Sequence, residues 1–395
     1  MKKTKIHLVV CLIFLNVMAN GQSLTEEIIA DKYKTYRNHN TIDFDPLLTH
    51  LAGKRIAAFG ESTHGAYDFY YLNSLLAKEL VEAQVVNSIV LEKSFIHLLE
   101  VNDYVTGKVE VVDFKVFMNK HGLAPPVRDL ILWLKEYNLQ FKQEEDKVML
   151  LGMDLQADLK YATSLVKDKI RQMGMSFPSN FDSLGKSHQD PLLIEFISYS
   201  DSLLNRYNGP EVHSGQMVRT ILNNMKRCVA FESAGPFSFT KVRDNAMADN
   251  LIELEEKIIP KGKMIFLWAH NGHIRRGGKN LLRIPMGYNL NKKYGLNYYN
   301  VALDYVRGNL YTFNDEDHQA EDSSDKSFIG NLVNQPAQGI VFVSKGGNGG
   351  RKFPSSYNIH DGGVSMEMGK FKKNDFDAIM LVEEVTSIYD HDSLK

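Results

Sequence analysis

The chain of 395 residues has only two cysteines and 11 prolines, and its 46 basic residues do not outnumber its 48 acidic ones. A formal charge of −2 leaves no basic excess of the kind that nucleic-acid-binding domains carry, so we expect no DNA or RNA partner. The hydrophobic fraction of 44% is typical of a packed globular protein. With so few cysteines, stability must come from apolar burial and not from disulfide bonds.

Long apolar runs are also scarce, and the one that stands out lies at the amino terminus. Lys2, Lys3 and Lys5 precede an apolar stretch over 6–18, and small residues follow at Ala19 and Gly21. This pattern predicts a signal peptide over residues 1–21. Its apolar stretch is too short to span a bilayer. No later run approaches transmembrane length. We therefore expect an exported protein, periplasmic or secreted, that does not insert into a membrane after cleavage.

Cleavage before Gln22 would also change the cysteine count and the charge. It would remove Cys11 and the three leader lysines, which leaves Cys228 alone and a net charge of −5. A lone cysteine beside a helical pattern is more often a small buried hydrophobe than a nucleophile. We therefore expect no disulfide and no catalytic cysteine, and a monomeric protein.

Four short apolar runs, at 56–59, 89–91, 148–151 and 264–268, each lead into titratable residues. Those residues are Glu61, His64, Glu92, Asp154, His270 and His273. A short apolar run bounded by polar residues is typical of a buried strand, and parallel strands share a crevice at their carboxyl ends. Any strand ends in polar residues, but histidine or carboxylate after all four is typical of acids, bases and metal ligands. The pattern predicts one shared active site.

The same pattern predicts an α/β fold with a mostly parallel sheet and flanking helices. Helical spacing over 69–82 supplies the first crossover helix, and three more helical stretches are expected over 95–143. From 158 to about 260 the pattern is helical throughout, which is too long for a simple crossover. We therefore predict one domain over 22–395, with a large inserted helical subdomain at about 158–260 that covers the strand carboxyl ends.

Several motifs in this order resemble the erythromycin esterase family. They are GESTHG at 60–65, IVLEKS at 89–94, GMDLQA at 152–157, RDNAMADN at 243–250 and WAHNGHI at 268–274. The resemblance covers nearly the whole chain after the leader. One departure is visible, because Phe117, Met118 and Asn119 stand where the family usually has Trp-Met-Arg. The resemblance implies a carboxylic ester hydrolase that opens a macrolide lactone, an activity linked to antibiotic resistance.

The chemistry that suits these residues is activation of water by a histidine. The catalytic residues that we predict are His64, Glu61, Glu92 and His270. His64 would take a proton from water, with Glu61 or Glu92 holding its far nitrogen or binding the water. His270 or His273 would donate a hydrogen bond to the developing oxyanion, and His270 is expected to face inward. Ser62 is a poor nucleophile candidate, because His64 replaces the last glycine of the G-x-S-x-G elbow.

The substrate contacts that we predict are His273, Asp154, Asn271, Arg243 and Phe117. Aromatic residues at 69–71 and at Phe117 would give the pocket a bulky, apolar lining, which suits a large ester or a macrolide-type lactone. A small-molecule ester or lactone is therefore the expected partner.

A metal site is the alternative that the residue types leave open. Glu61, His64, His270 and His273 have the three-residue spacing found in di-metal sites, and their nitrogen and oxygen atoms suit Zn, Mn or Fe. We predict no cofactor. The alternatives are a metal-dependent hydrolase or peptidase that uses the same cleft, and a non-catalytic protein that binds a metal or haem there.

Overall fold

The computed structural model describes residues 44–183, 190–207, 212–280, 283–311, 317–320, 340–344, 355–360 and 368–388. The predicted signal peptide at 1–21 lies outside the described residues. The first half contains α1 (Asp45–Leu51), β1 (Ile56–Phe59), α2 (Tyr67–Glu82), β2 (Val86–Ser94), α3 (Phe95–Val105), α4 (Phe114–Lys120), α5 (Pro125–Asn138) and β3 (Met149–Asp154).

The second half begins with helices and ends with strands. The helices are α6 (Leu159–Gln172), α7 (Pro191–Arg206), α8 (Val212–Glu232), α9 (Phe239–Lys257), α10 (Asn271–Ile274) and α11 (Met286–Tyr294). The strands are β4 (Met264–Trp268), β5 (Tyr298–Tyr311), β6 (Asp317–Ala320), β7 (Ile340–Ser344), β8 (Ser356–His360), β9 (Met368–Lys372) and β10 (Ala378–Val385).

One sheet, in the order β3-β2-β4-β1-β5-β10-β7, forms the centre of the molecule. The first six strands of this order are parallel to their neighbours, β7 is antiparallel to β10, and β6 pairs antiparallel with β5. Every residue of β1 and β4 is buried, which is typical of parallel strands that helices cover on both faces. The prediction of a mostly parallel α/β sheet with flanking helices is confirmed.

Alternate residues of the central strands point into two separate cores. Ile56 and Ala58 pack with α6, α7, α8 and α9 on one face of the sheet. Ala57 and Phe59 pack with α2 and α5 on the other face. The helices inserted between β3 and β4 therefore form the layer over one face, and the beginning of α9 reaches the strand carboxyl ends.

Cys228 lies inside this helical layer with no exposed surface. Its Sγ is 3.1 Å from the carbonyl oxygen of Leu155. Burial, with a smaller contribution from Asp154, raises the pKa of the thiol to about 12. The residue is thus a buried, protonated side chain. No helix among the described residues has both the length and the apolar character needed to cross a membrane.

Strand β2 carries an irregularity where it leaves the sheet. Its register with β3 shifts between Leu91 and Ser94, so one extra residue is placed on β2. Gly152 of β3 permits this, since a Cβ there would lie 2.5 Å from the carbonyl oxygen of Lys93. Bulges beside functional sites turn side chains in directions that a regular strand does not allow. Glu92 and Lys93 lie on this bulge.

Candidate active site

A cavity of about 780 Å³ lies at the carboxyl edge of the parallel strands. The structure brings together there the six predicted residues from all four strand ends, and Arg243 joins them from α9. Most of the lining residues are polar or charged, and the apolar and aromatic side chains among them are Tyr70, Leu91, Val127 and Trp268. Of the aromatic residues predicted to line the pocket, only Tyr70 is among the described residues that do so. Phe69 is fully buried in the core beneath α2, and Tyr71 is half-buried at the edge of that core.

His64 lies on the turn between β1 and α2, where Glu61 holds it. The His64 Nδ1 is 2.6 Å from Glu61 Oε1, and the indole Nε1 of Trp268 donates to Glu61 Oε2 at 3.0 Å. Because a carboxylate accepts from Nδ1–H, the neutral ring has its lone pair on Nε2. The His64 side chain is 40% exposed, and no hydrogen-bond partner of Nε2 occurs in the described part of the chain.

The charges around His64 also set its affinity for protons. Burial lowers the pKa of His64, but the hydrogen bond and charge of Glu61, together with the charge of Glu92, outweigh burial and raise it. The ring is therefore a stronger base than an ordinary histidine, and the residue lines the cavity. Such a ring can accept a proton from water as that water attacks a substrate.

His270 follows β4 and uses both ring nitrogens within the protein. Nδ1 accepts from the backbone N–H of Gly272 at 3.1 Å, so Nε2 carries the proton and donates to the carbonyl oxygen of Ser62 at 3.1 Å. Burial, and next the charge of His64, lower the pKa of His270 to about 3. The ring lines the cavity, but the N–H that we predicted to stabilise an oxyanion is donated to Ser62. That part of the prediction is corrected.

Arg243 ties the ends of β2 and β3 together. Its Nε and Nη2 bond the two oxygens of Asp154 at 3.0 and 2.6 Å, and Nη2 also donates to Glu92 Oε1 at 2.9 Å. Burial lowers the pKa of Arg243, but Asp154 and Glu92 outweigh it and raise the pKa. The two-pronged pairing fixes the planes of both groups. Asp154 and Arg243, predicted to contact substrate, thus form an ion pair in the cavity wall.

His273 lies between two carboxylates. Its Nδ1 is 2.5 Å from Asp244 Oδ1, and its Nε2 is 3.2 Å from Glu92 Oε1. Burial lowers its pKa, but Glu92 and then Asp244 raise it to about 10, so both nitrogens hold protons at neutral pH. Burial in turn raises the pKa of Glu92, while His273, His64 and Arg243 together hold it well below its usual value. His273 is a fixed cation.

Three residues considered from the sequence do not line the cavity. The Asn271 amide is buried and pairs with Leu303, donating to its carbonyl oxygen at 2.7 Å and accepting from its N–H at 3.2 Å. Phe117 is buried with its ring 4.7 Å from that of His121. Ser62 is fully buried. The substrate contacts predicted for Asn271 and Phe117 are therefore corrected, because both side chains are used in packing.

Glycine is required where the turns after β1 and β4 meet. A Cβ on Gly60 would lie 1.8 Å from Asn271 Oδ1. The backbone N–H of Asn271 also donates to the carbonyl oxygen of Glu61 at 2.9 Å. This close approach places His64 and His270 side by side, with ring centroids 5.4 Å apart.

The predicted metal ligands are engaged with protein groups. Both Glu61 oxygens and both nitrogens of His270 and His273 have partners. Within the described ranges, no three His, Cys, Asp or Glu side chains form a group that could hold a metal ion. In this arrangement Glu61 and His64 pair with each other, His270 pairs with the backbone, and His273 pairs with Asp244 and Glu92.

Sequence reasoning missed several residues of the site. Trp268 and Asp244 hold Glu61 and His273, and Lys93 and His121 line the cavity. Lys93 and Asp244 each adjoin a predicted residue, so adjacency was the only signal for them.

Burial, with the charges of Lys120 and His97, outweighs the attraction of Glu100 and lowers the pKa of His121 to about 4.

The chain is similar in sequence to known hydrolases. A family model of erythromycin esterase matches residues 81–176 and 199–329. Erythromycin esterase type II of Escherichia coli is 27% identical over 134 residues, which cover 33% of this chain and 31% of that protein. The putative hydrolase YbfO of Bacillus subtilis (strain 168) is 24% identical over 321 residues, 70% of each chain. This chain thus spans about a third of the first relative.

Solved structures share the fold at low identity. A succinoglycan biosynthesis protein has a TM-score of 0.73 at 18% identity, covering 93% of this chain and 99% of its own. A variant of erythromycin esterase EreC in its open conformation has a TM-score of 0.61 at 16% identity, covering 87% and 95%. These likenesses concern the fold alone. The family model, however, matches more than half of the chain, and on that ground the chain belongs to the erythromycin esterase family of hydrolases.

Proposed function

We propose that this hydrolase cleaves an ester or lactone with a water molecule that His64 activates. The observation that carries the proposal is the Glu61–His64 pair: Nδ1 is bonded at 2.6 Å, Nε2 has no partner among the described residues, and the residue lines a cavity of about 780 Å³. A histidine oriented by a carboxylate and open on its other nitrogen is the arrangement of a general base. The two ring nitrogens of His270 and of His273 are occupied, so His64 is the histidine that suits this role.

The reaction follows from the position of the lone pair. His64 Nε2 takes a proton from water while the water oxygen adds to the carbonyl carbon, and the carbonyl electron pair moves onto oxygen. The tetrahedral species collapses, the carbon–oxygen bond to the alcohol breaks, and His64 returns its proton to the leaving alkoxide. The Glu61 side chain orients the ring and stabilises the imidazolium. The products are a carboxylic acid and an alcohol.

The remaining charged residues support this reaction by positioning. Glu92 Oε2 accepts the backbone N–H of His270 at 2.8 Å, while Oε1 contacts Arg243 and His273. These bonds hold the cavity wall in place, and they do not involve the lone pair of His64. Glu92 is therefore a positioning residue, and so is Glu61.

The cavity size and polarity indicate the substrate class. A volume of about 780 Å³ is within the range of small-molecule sites and suits a bulky substrate. Its many charged and hydrogen-bonding groups favour a substrate rich in oxygen. The name of the Escherichia coli relative, erythromycin esterase, points in the same direction. We propose a bulky, oxygen-rich ester or a macrolactone, with no metal requirement.

Turnover of a substrate panel tests this function. The panel contains 4-nitrophenyl esters, simple lactones and macrolides, each assayed with and without EDTA and with His64→Ala as the control. We expect hydrolysis of at least one ester or lactone, insensitive to EDTA and absent in the variant. Loss of activity with EDTA, restored by Zn or Mn, would establish the metal-dependent alternative. No hydrolysis but tight haem or metal binding would establish the non-catalytic alternative.

We also propose that the protein is exported. The support is the charged and apolar pattern of residues 1–21. Mass spectrometry of the protein made in a bacterial host with a periplasm should find Gln22, free or cyclised, at the amino terminus. Recovery of the chain from the cytoplasm with Met1 intact would contradict export.

A further inference from the structure

The proposed reaction places negative charge on the carbonyl oxygen, and something must stabilise it. The obvious donors are already used: the His270 N–H bonds Ser62, and His273 bonds Asp244 and Glu92. Arg243 is paired with Asp154 and Glu92. A cation with unused donors near His64 is therefore the missing part.

Lys93 is placed to supply it by the bulge in β2. In a regular strand, neighbouring side chains point to opposite faces, so Glu92 and Lys93 would diverge. The extra residue between Leu91 and Ser94 instead brings both side chains to the wall of one cavity. The bulge depends on Gly152, against which the carbonyl oxygens of Lys93 and Ser94 pack.

The surroundings of the Lys93 ammonium leave it able to bind an anion. Its Nζ donates to the backbone carbonyl oxygen of Gly122 at 3.1 Å, and in the described ranges no carboxylate lies within ion-pair distance. An ammonium has three donors, so two remain. Lys120 lines the same cavity but differs, since its Nζ is 2.5 Å from Glu100 and lies over the Tyr161 ring.

Lys93 and the base His64 line the same cavity. Burial, then Glu61 and Glu92, dominate the pKa of His64, and the positive charge of Lys93 also acts on it by lowering it. An oxyanion formed beside His64 would therefore lie within the influence of the Lys93 ammonium.

We propose that Lys93 is a catalytic residue whose ammonium binds the carbonyl oxygen of the scissile bond and stabilises the oxyanion. The proposal rests on the proposed ester or lactone hydrolysis. As water adds to the carbonyl carbon, the electron pair that moves onto oxygen is met by two N–H groups of Lys93. No proton leaves Lys93. When the carbonyl re-forms, the negative charge passes to the alkoxide, which His64 protonates.

The test compares three variants on 4-nitrophenyl butyrate or whichever neutral ester the wild type hydrolyses. Lys93→Met should lower kcat about 10²- to 10³-fold with little change in KM, as removal of an oxyanion donor does. Lys93→Arg keeps the charge and should recover part of the loss. Lys120→Met removes the same charge from the same cavity and should lower kcat far less, because its ammonium is paired with Glu100.

Two further readouts separate catalysis from structure. Lys93→Met should move the acid limb of the kcat/KM profile to higher pH, since the pKa of His64 loses a lowering influence while Glu61, Glu92 and His270 stay in place. Lys93→Cys treated with 2-bromoethylamine restores an ammonium and should restore most of the lost kcat. Wild-type protein treated in parallel is the control, because Cys228 is buried and the pKa of its thiol is about 12.

The outcomes are distinct. A Lys93→Met variant that keeps its kcat, or a loss equalled by Lys120→Met, would overturn the assignment to Lys93 while hydrolysis itself stands. A variant that raises KM for anionic esters alone would make Lys93 a substrate-binding residue and also overturn it. A wild type that hydrolyses no ester or lactone would remove the proposed function, and the role of Lys93 with it.

Discussion

Two turns of this protein carry a histidine bound to a carboxylate, and they use it in opposite ways. After β1, His64 has one carboxylate partner, and its side chain is 40% exposed. After β4, His273 has a carboxylate at each nitrogen, and its side chain is 10% exposed. The first ring keeps a basic nitrogen without a partner among the described residues and lines the cavity, and the second holds two protons as a buried cation.

The comparison shows that the number of carboxylate partners, more than the residue type, decides whether a histidine can take part in proton transfer. Both turns follow parallel strands and both lie against carboxylates, so residue type alone would make them equal candidates for the base. A second carboxylate raises the pKa of His273 to about 10, after the opposing influence of burial, and removes it from proton transfer. His273 instead balances the charge of Glu92 and Asp244.

The largest expected difference between the two turns is in catalysis. His64→Ala should lower kcat by roughly 10²- to 10⁴-fold, the usual contribution of a general base. The fold should persist, because the side chain is 40% exposed. Steady-state kinetics on a hydrolysed ester, with circular dichroism as the folding control, measure this. A variant that keeps more than half of its activity would rule out His64 as the base.

For the free energy of unfolding, the order of the two turns should be reversed: a substitution of His273 should cost more than one of His64. His273→Asn removes the cation between Glu92 and Asp244; Glu92 keeps its bond from Arg243, whereas the buried Asp244 loses the cation with which it is paired. Breaking a buried ion pair in this way costs about 3 to 5 kcal/mol. The matched control is His64→Asn, expected to change the free energy of unfolding by less than about 1 kcal/mol. Urea denaturation measures the free energy of unfolding of both variants. Equal losses of stability in the two would show that the turns do not differ.

A third test uses pH to separate the two histidines. His273 has a pKa of about 10 in the fold and 6.5 when unperturbed, so its stabilisation is complete below pH 6.5 and is lost as pH rises toward 10. The slope approaches about 1.4 kcal/mol per pH unit for one proton. Activity should instead rise with pH, because His64 must be neutral to act as the base and its pKa is raised.

The check on this pH dependence is the free energy of unfolding at several values between pH 6 and 10. Asp244→Asn removes one of the two carboxylates that raise the pKa of His273, so its stability should fall less steeply with pH than that of the wild type. Parallel slopes in the two proteins would assign the alkaline loss to other groups.

The smallest expected effect concerns the orientation of the first turn. Trp268→Phe removes the indole N–H that bonds Glu61 Oε2 at 3.0 Å, while the link from Glu61 to His64 remains. A net hydrogen bond contributes about 0.5 to 1.5 kcal/mol, so kcat should fall roughly 3- to 10-fold with KM unchanged. A loss as large as that of His64→Ala would mean that Trp268 contacts the substrate.

The sequence was most informative where periodicity carried the signal. The apolar runs predicted the buried parallel strands, and the residues after them predicted which side chains would meet. Hydrogen-bond partners were harder to predict from the sequence, because they depend on turn geometry and on distant elements. The donor of His270 is directed at Ser62, which lies more than two hundred residues earlier in the chain. Asp244 reaches His273 only because α9 crosses the strand ends.

The wrong substrate contacts have a similar cause. Asn271 lies between two predicted histidines, yet its amide bonds the backbone N–H and carbonyl oxygen of Leu303 on β5. Phe117 lies where the sequence departs from the family pattern, and its ring packs against His121 and Tyr104. Composition and spacing do not tell which side of a helix or turn faces a cavity, so both residues were indistinguishable from true lining residues.

The bulge in β2 has a consequence for how this protein tolerates insertions and deletions. One extra residue between Leu91 and Ser94 brings two consecutive side chains, Glu92 and Lys93, to the same cavity. Deleting a single residue there would restore regular pairing with β3 and turn one of the two away. The strand end is thus constrained in its length as well as in its residue types, and Gly152 on the facing strand shares that constraint.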